Sequence, residues 1–413
     1  MNCKGLTGRD DDNTLVDGGL HRMHKRQFTR RAVGLGAVFV LLLMTASASA
    51  VTITGFFETE GSTDLTEGLP VNLDSTLGLQ LDKDHGAGAF HAGLHIHQSL
   101  GSDSGATWDW VLDALYADYY ADDFDLRIGK QRLSWGTAMQ INPMDVVNPM
   151  NPHDPLGDKQ STWAALLDYY VGWNYKISAA VVPAFSSQIR PHVPHPVTGE
   201  PLTINDPDLQ LNNVQGAIRG EAQGLSGWDV SVMYYYGREQ RPGLRQTPNM
   251  DQGTLPSSMQ DLALEYPRTH VFGTAIAGTL GDAAVWAEGA YHFPEFGDSY
   301  WHWIVGGDYG FGNGVLAVAQ YYQRWQDGDL QHQLIGALEK DFVQLHTARL
   351  GAMYRLDTGS WMLRPEIEWS LADAIRLNTG VQWLEEKADH PANALPLHQP
   401  DSLRLYVQFR MDF

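Results

Sequence analysis

The sequence predicts an all-β fold, a transmembrane antiparallel up-and-down β-barrel of about 18 strands, with 16 strands as the alternative. Three observations lead to this prediction. The chain ends in a segment that alternates between apolar and charged residues. The rest of the chain divides into strand-like runs, and the connections between these runs are alternately short and long.

The C-terminal segment LRLYVQFRMDF has the period-two pattern of a strand with one apolar face. Its apolar face runs without interruption from Leu403 to Phe413, while Arg404, Arg410 and Asp412 on the other face require water. About eleven tilted residues cross a bilayer. A strand with lipid on one side and water on the other suits a transmembrane barrel. A final strand of a soluble protein is the alternative that this segment alone leaves open.

From residue 51 onward the sequence contains no convincing amphipathic helix, and glycine and aromatic residues are abundant. Aromatic residues gather at the predicted strand ends, among them Tyr119, Tyr169, Tyr235 and Trp301, as in the interface belts of membrane proteins. The predicted strands lie near residues 51–60, 71–83, 87–98, 109–120, 124–134, 162–170, 173–183, 211–222, 227–236, 267–280, 283–293, 299–309, 315–325, 331–341, 345–356, 360–370, 374–385 and 402–413.

The lengths of the connections support a barrel more strongly than any single strand does. Every even-numbered connection is short, and the long ones, residues 135–161, 184–210, 237–266 and 386–401, are all odd-numbered. An up-and-down barrel has short periplasmic turns and longer loops on the outer side. With both termini in the periplasm, the number of strands must be even.

The first 50 residues are predicted to be a secretory signal peptide, so the barrel domain comprises residues 51–413. A basic segment precedes the apolar stretch AVGLGAVFVLLLM, and Ala48-Ser49-Ala50 follows it as a cleavage site. Met23 is an alternative start, because the acidic segment before it is unlike a signal peptide. The single cysteine, Cys3, lies upstream of the cleavage site, so disulfides and thiolate chemistry are excluded for the mature chain.

Composition and motifs favour a protein that is not an enzyme and needs no cofactor or metal. The formal net charge of -21 argues against nucleic acid as a partner. No G-x-S-x-G motif occurs. His91, His95 and His97 share one face of a predicted strand, but polar lining of a lumen is the favoured interpretation over a metal site. His192 and His195 lie in a proline-rich segment that is predicted to be a solvated loop.

The segment LRIGKQRLSWGTAMQINPMDVVNPMNP, residues 126–152, resembles a segment common in porin-like barrels of Gram-negative bacteria, including the alginate-export type and related uncharacterised families. In these families a strand of the form R-x-G-[KR]-Q precedes W-G and a loop with N-P-x-D. The matching residues here are Arg127, Gly129, Lys130, Gln131, Trp135, Gly136, Asn142, Pro143 and Asp145. The resemblance implies an outer-membrane channel. Outside residues 126–152 the chain resembles these families only in its predicted barrel architecture. Members of the alginate-export type share 18 strands and a basic lumen, but alginate itself does not follow from the match.

A set of basic residues is predicted to line the pore. The last four strands carry Arg349, Arg355, Arg364, Arg376, Arg404 and Arg410, and Glu366 and Glu368 share the face of Arg364. The fifth strand adds Arg127 and either Lys130 or Arg132, because GKQRL shifts the alternation. Cations that line a pore select anions. The alternative is that these residues neutralise Glu366, Glu368, Glu288, Asp308 and other lumenal acids.

The proline-rich segment NPMDVVNPMNPHDP follows the fifth strand and is held extended by its prolines. Its position resembles that of the porin loop that folds into the lumen, and an ordered extracellular loop is the alternative. The candidates for a constriction are Asn142, Asp145, Asn148 and Asp154.

The combined expectation is a protein of the outer membrane of a Gram-negative bacterium. It would be a channel for diffusion or export of hydrophilic solutes, with a lean toward anions. One alternative is that the protein is a component of an envelope exporter for lipid or hydrophobic cargo. The other is a structural barrel whose lumen is plugged. Expected partners are outer-membrane lipid and lipopolysaccharide, and small hydrophilic solutes or an anionic polymer. The outer-membrane assembly machinery is also an expected partner, because the terminal Phe413 resembles the signal that this machinery recognises.

Overall fold

The structure is a computed structural model. It describes residues 51–66, 71–101, 105–149, 159–187, 193, 201–208, 210–246, 262–343, 345–387 and 402–413. The predicted signal peptide, Asp154, His192 and His195 lie outside these residues. Within the described ranges, no helix has the length and apolar character that a membrane-spanning helix requires.

Within the described residues, eighteen antiparallel strands form a closed barrel, which confirms the predicted fold and excludes 16 strands. Three further strands of the described residues form a separate small sheet. In chain order the strands are β1 (Thr52–Asp64), β2 (Val71–His85), β3 (Gly88–Gly101), β4 (Gly105–Tyr120), β5 (Phe124–Gln131), β6 (Thr162–Val171), β7 (Tyr175–Val182), β8 (Thr203–Asn205), β9 (Gln215–Leu225), β10 (Trp228–Arg238), β11 (Gly243–Gln246), β12 (Leu262–Glu265), β13 (Arg268–Leu280), β14 (Ala283–Pro294), β15 (Tyr300–Gly310), β16 (Val315–Gln326), β17 (Asp329–Phe342), β18 (His346–Arg355), β19 (Trp361–Ala372), β20 (Ile375–Glu385) and β21 (Ser402–Asp412).

The two ends of the barrel differ in their connections, as the sequence predicts. The connections at one end, here called the turn end, have two to four residues each, for example 86–87 and 311–314. The opposite loop end carries all of the long connections. The small sheet, which the sequence did not predict, joins two of them, because β8 in one connection pairs with β12 in the other.

The outer face of the barrel is apolar and carries aromatic residues near both ends. Trp110 and Trp325 are exposed near the loop end, and Tyr119 and Tyr309 are exposed near the turn end. Such rings suit the two interfaces of a bilayer. Tyr235 is an exception to the predicted belt, because it is 1% exposed and its hydroxyl donates to Gln215.

The seam that closes the barrel lies between the first and last strands. Phe413 and Gly55 exchange two backbone hydrogen bonds, with N···O distances of 2.8 and 2.9 Å. A Cβ at Gly55 would lie 2.7 Å from Cζ of Phe413, so the terminal ring occupies space that only glycine leaves free. The alternation of the final strand therefore has a structural consequence, since its outward row ends in a ring that packs on the first strand.

Removing the ring of Phe413 is expected to lower the yield of assembled barrel. Phe413→Ala keeps the backbone bonds to Gly55, whereas deletion of Phe413 loses the bonds as well, so deletion should be the more harmful change. Phe413→Tyr keeps an aromatic ring and is the control. The measurement is the heat-modifiable fraction in outer-membrane preparations at native expression level. Equal yields for Phe413→Ala and the wild-type chain would contradict the prediction.

Candidate transport pathway

The segment that follows β5 turns into the barrel and packs against its inner wall. Leu133, Trp135, Met144 and Val147 are buried in one apolar cluster with wall residues. The wall residues of that cluster come from β6, β7, β9, β10, β13 and β14, namely Ala164, Ala180, Val182, Ala217, Met233, Tyr235, Val271, Ala275 and Ala290. Residues 132–149 are called the inward loop below.

Glu288 on β14 fastens the inward loop to the wall. One carboxylate oxygen accepts hydrogen bonds from the backbone N–H groups of Thr137 and Ala138, at 2.8 and 3.2 Å. The other oxygen accepts one from Met144 at 2.5 Å. Glu288 is only 3% exposed. Hydrogen bonds from backbone N–H groups to a buried carboxylate are strong, so Glu288 is a latch for the loop.

A second contact holds the tip of the inward loop against β16. The side-chain amide of Gln320 accepts from Met139 N–H at 3.2 Å and donates to Met139 carbonyl at 3.1 Å. Ile141 packs on Ile335, Met353 and Leu384. Between these anchors Gln140 has φ of 63° and is exposed. Met139 and Gln140 are therefore the exposed tip, and no periodic pattern in the sequence indicated them.

The predicted constriction residues shape the inward loop from within. Asn142 Oδ1 accepts from the backbone N–H groups of Met144 and Asp145, both at 3.1 Å. Asn148 accepts from Leu133 N–H at 3.0 Å and donates to Leu133 carbonyl at 2.7 Å. Asn148 also donates to the Asp145 carboxylate at 2.7 Å. These side chains are occupied by the loop's own atoms, so their lining of a constriction stays a prediction.

Five arginines of the C-terminal strands lie on the lumenal face, opposite the exposed Leu405 and Val407. Each of them contacts at least one carboxylate, and the array is called the charged ladder below. Its contacts are Arg349 with Glu339 (2.9 Å), Glu368 (3.0 Å) and Glu366 (3.5 Å), Arg364 with Glu366 (3.4 Å), Arg376 with Asp412 (2.5 Å), Arg404 with Glu60 (2.5 Å), and Arg410 with Asp412 (3.0 Å) and Glu58 (3.2 Å).

Tyr406 connects two parts of the charged ladder across β20. Its hydroxyl donates to Glu366 at 2.6 Å and accepts from Arg364 Nε at 2.9 Å. The ring crosses β20 at Gly380, where a Cβ would lie 2.3 Å from Tyr406 Cζ. Gly380 therefore allows Tyr406 to reach the neighbouring charges, and the alternating pattern of the sequence did not indicate this role.

The ladder combines near-balanced charge with unequal exposure. Five arginines face six carboxylates, so its formal charge is one negative. The Arg364 side chain is 48% exposed while that of its partner Glu366 is 13% exposed. Arg404 is likewise more exposed than Glu60. The order is reversed in two other pairs, because Glu339 (43%) is more exposed than Arg349 (39%), and Asp412 (35%) is more exposed than Arg410 (31%). The lumenal surface of the ladder therefore presents both guanidinium groups and carboxylates.

The inward loop and the charged ladder lie next to each other. Gln320, Ile335, Met353 and Leu384, which hold the loop tip, belong to one lumenal row across β16 to β20. The ladder begins in the following lumenal rows toward the turn end, because Glu339 lies four residues from Ile335, and Arg349 four residues from Met353, in the direction of that end. The tip of the inward loop therefore lies next to the charged ladder, on the side of the ladder that faces the loop end.

Three other residues of the predicted pore lining, Arg127, Lys130 and Arg132, do not belong to the charged ladder. Arg127 and Arg132 form lumenal ion pairs with Asp118 and Asp113, at 2.6 and 2.7 Å. Of the two alternatives that the sequence left open, Arg132 is the lumenal residue. Lys130 as a pore-lining residue is a correction, because its row includes Leu115 and Trp163 on the outer face. The bulge that the sequence suggested lies instead in β4, at Asp113.

Arg355 is a second correction to the predicted pore lining. It faces the interior but is only 3% exposed, and it pairs with Asp357 at 2.7 Å at the loop end. A buried arginine fastened to its own turn is not available to solutes. Arg355 therefore serves the structure of the connection between β18 and β19.

The three histidines of β3 lie in the lumen, but each has its own partners. His91 contacts Asp82 at 2.5 Å and Asp118 at 3.5 Å, and His97 contacts Thr76 at 3.0 Å. His95 packs edge-on against Phe56. Among the described residues, no group of three or more metal-ligating side chains has a suitable arrangement for a metal ion.

Comparison with known proteins supports the porin-like fold. No protein-family model matches the chain, and no curated protein matches it in sequence. OccD3 (OpdP) of Pseudomonas aeruginosa superposes with a TM-score of 0.53 at 9% identity, over 88% of this chain and 91% of that protein. OccAB1 of Acinetobacter baumannii superposes with a TM-score of 0.51 at 9% identity, over 88% of this chain and 96% of that protein. Both are Gram-negative outer-membrane porins, and at such identity the likeness establishes the shared fold.

Proposed function

We propose that the chain is an outer-membrane channel of a Gram-negative bacterium that lets hydrophilic solutes diffuse or be exported. The observation that carries the proposal is the charged ladder, which lies half-exposed inside a closed barrel with an apolar outer face. Charged side chains of this kind require water, so the lumen holds an aqueous path beside the inward loop. The surrounding partners are outer-membrane lipid and lipopolysaccharide, and Phe413 engages the assembly machinery.

We further propose a modest preference for anions. Arg364 and Arg404 are more exposed than their partners Glu366 and Glu60, which favours anions close to the wall. The carboxylates of the ladder limit the preference, because their fields overlap with those of the arginines over about 8 Å at physiological salt. In this proposal the modest size of the anion preference reflects both predicted effects, the selection of anions by the basic residues and the neutralisation of these residues by lumenal acids.

An anionic polymer is the finer form of this proposal, and its support is the resemblance of residues 126–152 to the alginate-export type, from which alginate itself does not follow. Two glycines of this motif occupy positions where the structure has no room for a side chain. A Cβ at Gly129 would lie 2.1 Å from the Leu115 carbonyl, and one at Gly136 would lie 2.1 Å from Asn142 Oδ1. Both glycines have positive φ. The motif therefore favours a chain path that leads into the inward loop, which is a feature of channels for many solutes.

The test is single-channel recording of the purified protein in planar bilayers. Discrete, ohmic conductance steps in potassium chloride are expected, with a reversal potential in a salt gradient of the sign for weak anion preference. A protein that inserts but produces no steps would refute the channel and would favour an exporter component or a plugged barrel. Fractionation of the protein as a soluble periplasmic species would refute the location.

A further inference from the structure

Two arginines lie side by side on the outer face of the barrel, at the loop end of neighbouring strands. Arg238 ends β10, Arg268 begins β13, and the two residues are paired in the sheet. Both belong to outward-facing rows, because Val232 and Phe272, an even number of residues away on the same strands, are exposed. The loop end faces the outside of the cell, since the short turns of such barrels lie on the periplasmic side.

Asn213 holds the two guanidinium groups together. Its Oδ1 accepts from Nη2 of Arg238 at 2.6 Å and from Nη2 of Arg268 at 3.1 Å. The Asn213 amide also donates to the Asp208 carbonyl at 2.7 Å, which fixes the position of the acceptor. One neutral oxygen does not compensate two positive charges, and within the part of the chain that the structure describes neither arginine forms an ion pair with a carboxylate.

The two arginines differ in how many donors they keep for a ligand. Arg238 also donates from Nη1 to the Tyr266 carbonyl at 2.5 Å, so it is the anchored member of the pair. The Arg268 side chain makes its one hydrogen bond to Asn213 and lies over the Tyr236 ring at 5.4 Å. Its Nε and Nη1 have no partner among the described residues. A guanidinium with two such donors matches two oxygens of a phosphate.

Two acids lie in the neighbourhood of the pair. Glu265 and Glu295 act on Arg238 through their charge. Glu265 already pairs with Arg245 at 2.7 Å. Glu295 is exposed at the loop end of β14, so the two arginines and Glu295 together keep a net positive charge.

Aromatic side chains extend from the arginine pair toward the middle of the outer face. The next two outward rows contain five aromatic residues and one histidine, namely Tyr236, His270, Phe293, Tyr234, Phe272 and Tyr291. Phe272 and Phe293 are 57% and 55% exposed. Exposed rings of this kind mark the interface between hydrocarbon and headgroups. The arginine pair therefore lies just outside this interface, at the level of lipid phosphates.

We propose that Arg238 and Arg268 form a binding site for a phosphate group of a lipopolysaccharide molecule in the outer leaflet. The two guanidinium groups supply the positive charge that a phosphate requires, and the aromatic rows beside them supply an apolar surface for its acyl chains. A free phosphate ion would use only the first of these features. The inference rests on the proposed location in the outer membrane and not on conductance.

The experiment measures the binding of lipid A to the detergent-solubilised barrel by native mass spectrometry. A chelator is present, so that no divalent cation joins Glu295 to a phosphate. Lipid A that carries two phosphates is expected to bind the wild-type chain about tenfold more tightly than dephosphorylated lipid A, because a hydrogen bond between charged groups is lost with the phosphate. Inorganic phosphate in excess should not displace the lipid.

Two variants assign the binding to the arginine pair. Arg268→Gln keeps a donor for Asn213 but removes the charge, and it should abolish most of the tenfold preference for the phosphorylated lipid. Asn213→Asp keeps both arginines and supplies the carboxylate that they lack, so it should also reduce the preference. Lys387→Gln is the matched control, because Lys387 lies at the loop end after β20 and contacts Glu385 at 3.4 Å. It should leave the preference unchanged.

The outcomes separate this inference from the proposed function. Equal binding of the two forms of lipid A to the wild-type chain would overturn the inference while leaving the channel intact, and this comparison needs no variant. A full preference in assembled Arg268→Gln would overturn the assigned site, and so would a full preference in Asn213→Asp if Arg268→Gln does not assemble. Displacement of lipid A by inorganic phosphate would show a site for free anions and would overturn the lipid as its ligand. Heat-modifiable migration confirms that each variant assembles.

Discussion

Replacing Glu288 with alanine is expected to release the inward loop and to raise single-channel conductance about two- to threefold. The change removes the acceptor for three backbone N–H groups of the loop. Each buried donor left without a partner costs about 1–3 kcal/mol. The loss amounts to several kcal/mol at residues 137–144, and we expect this part of the loop to detach although the apolar cluster around Trp135 and the contacts of the tip with Gln320 and Ile335 remain. Planar-bilayer recording at neutral pH measures the effect.

Two comparisons make the Glu288 experiment specific. Asp341→Ala removes a lumenal carboxylate whose side chain contacts Thr347 and not the loop, so it should leave conductance near the wild-type value. A Cβ at Gly273 would lie 3.0 Å from Met144 Cγ, so cysteines at these two positions are within reach of a disulfide. In Glu288→Ala, the oxidised disulfide from Met144→Cys and Gly273→Cys should return conductance to the wild-type level. Unchanged conductance in an assembled Glu288→Ala barrel would show that the loop does not narrow the path.

The features that the sequence predicted correctly are those encoded locally. Each barrel strand carries its own period-two pattern, and each short turn is marked by residues near it in the chain. The alternation of Arg404, Tyr406, Gln408 and Arg410 placed them on the lumenal face without knowledge of any neighbouring strand.

The features that the sequence did not reveal depend on partners far apart in the chain. Arg404 meets Glu60 across 344 residues because the barrel closes β21 on β1. Glu288 meets Thr137 across 151 residues because the loop folds inward. The choice between Lys130 and Arg132 as the lumenal residue stayed open because the bulge lies in a different strand, β4, from the one in which the sequence suggested it. A single sequence contains no signal for such pairings, since any lumenal acid could have met any lumenal arginine.

Replacing Arg349, Arg364, Arg376 and Arg404 together with glutamine is expected to make the channel strongly cation-selective. Six carboxylates of the charged ladder would then face Arg410 alone. The reversal potential in a potassium chloride gradient should therefore change sign relative to the wild-type channel. The effect should shrink at molar salt, where the screening length falls to about 3 Å.

The opposite substitutions test whether the ladder sets selectivity by the balance of its charges. Glu60→Gln, Glu366→Gln and Glu368→Gln together should strengthen the anion preference, because their arginine partners remain. Combining both sets should bring the reversal potential back toward the wild-type value. Lys130→Gln is the matched control, because it removes a positive charge from the outer face and should not change selectivity. If the arginine set and Lys130→Gln gave the same small shift, the ladder would contribute to the stability of the barrel and not to the selection of solutes.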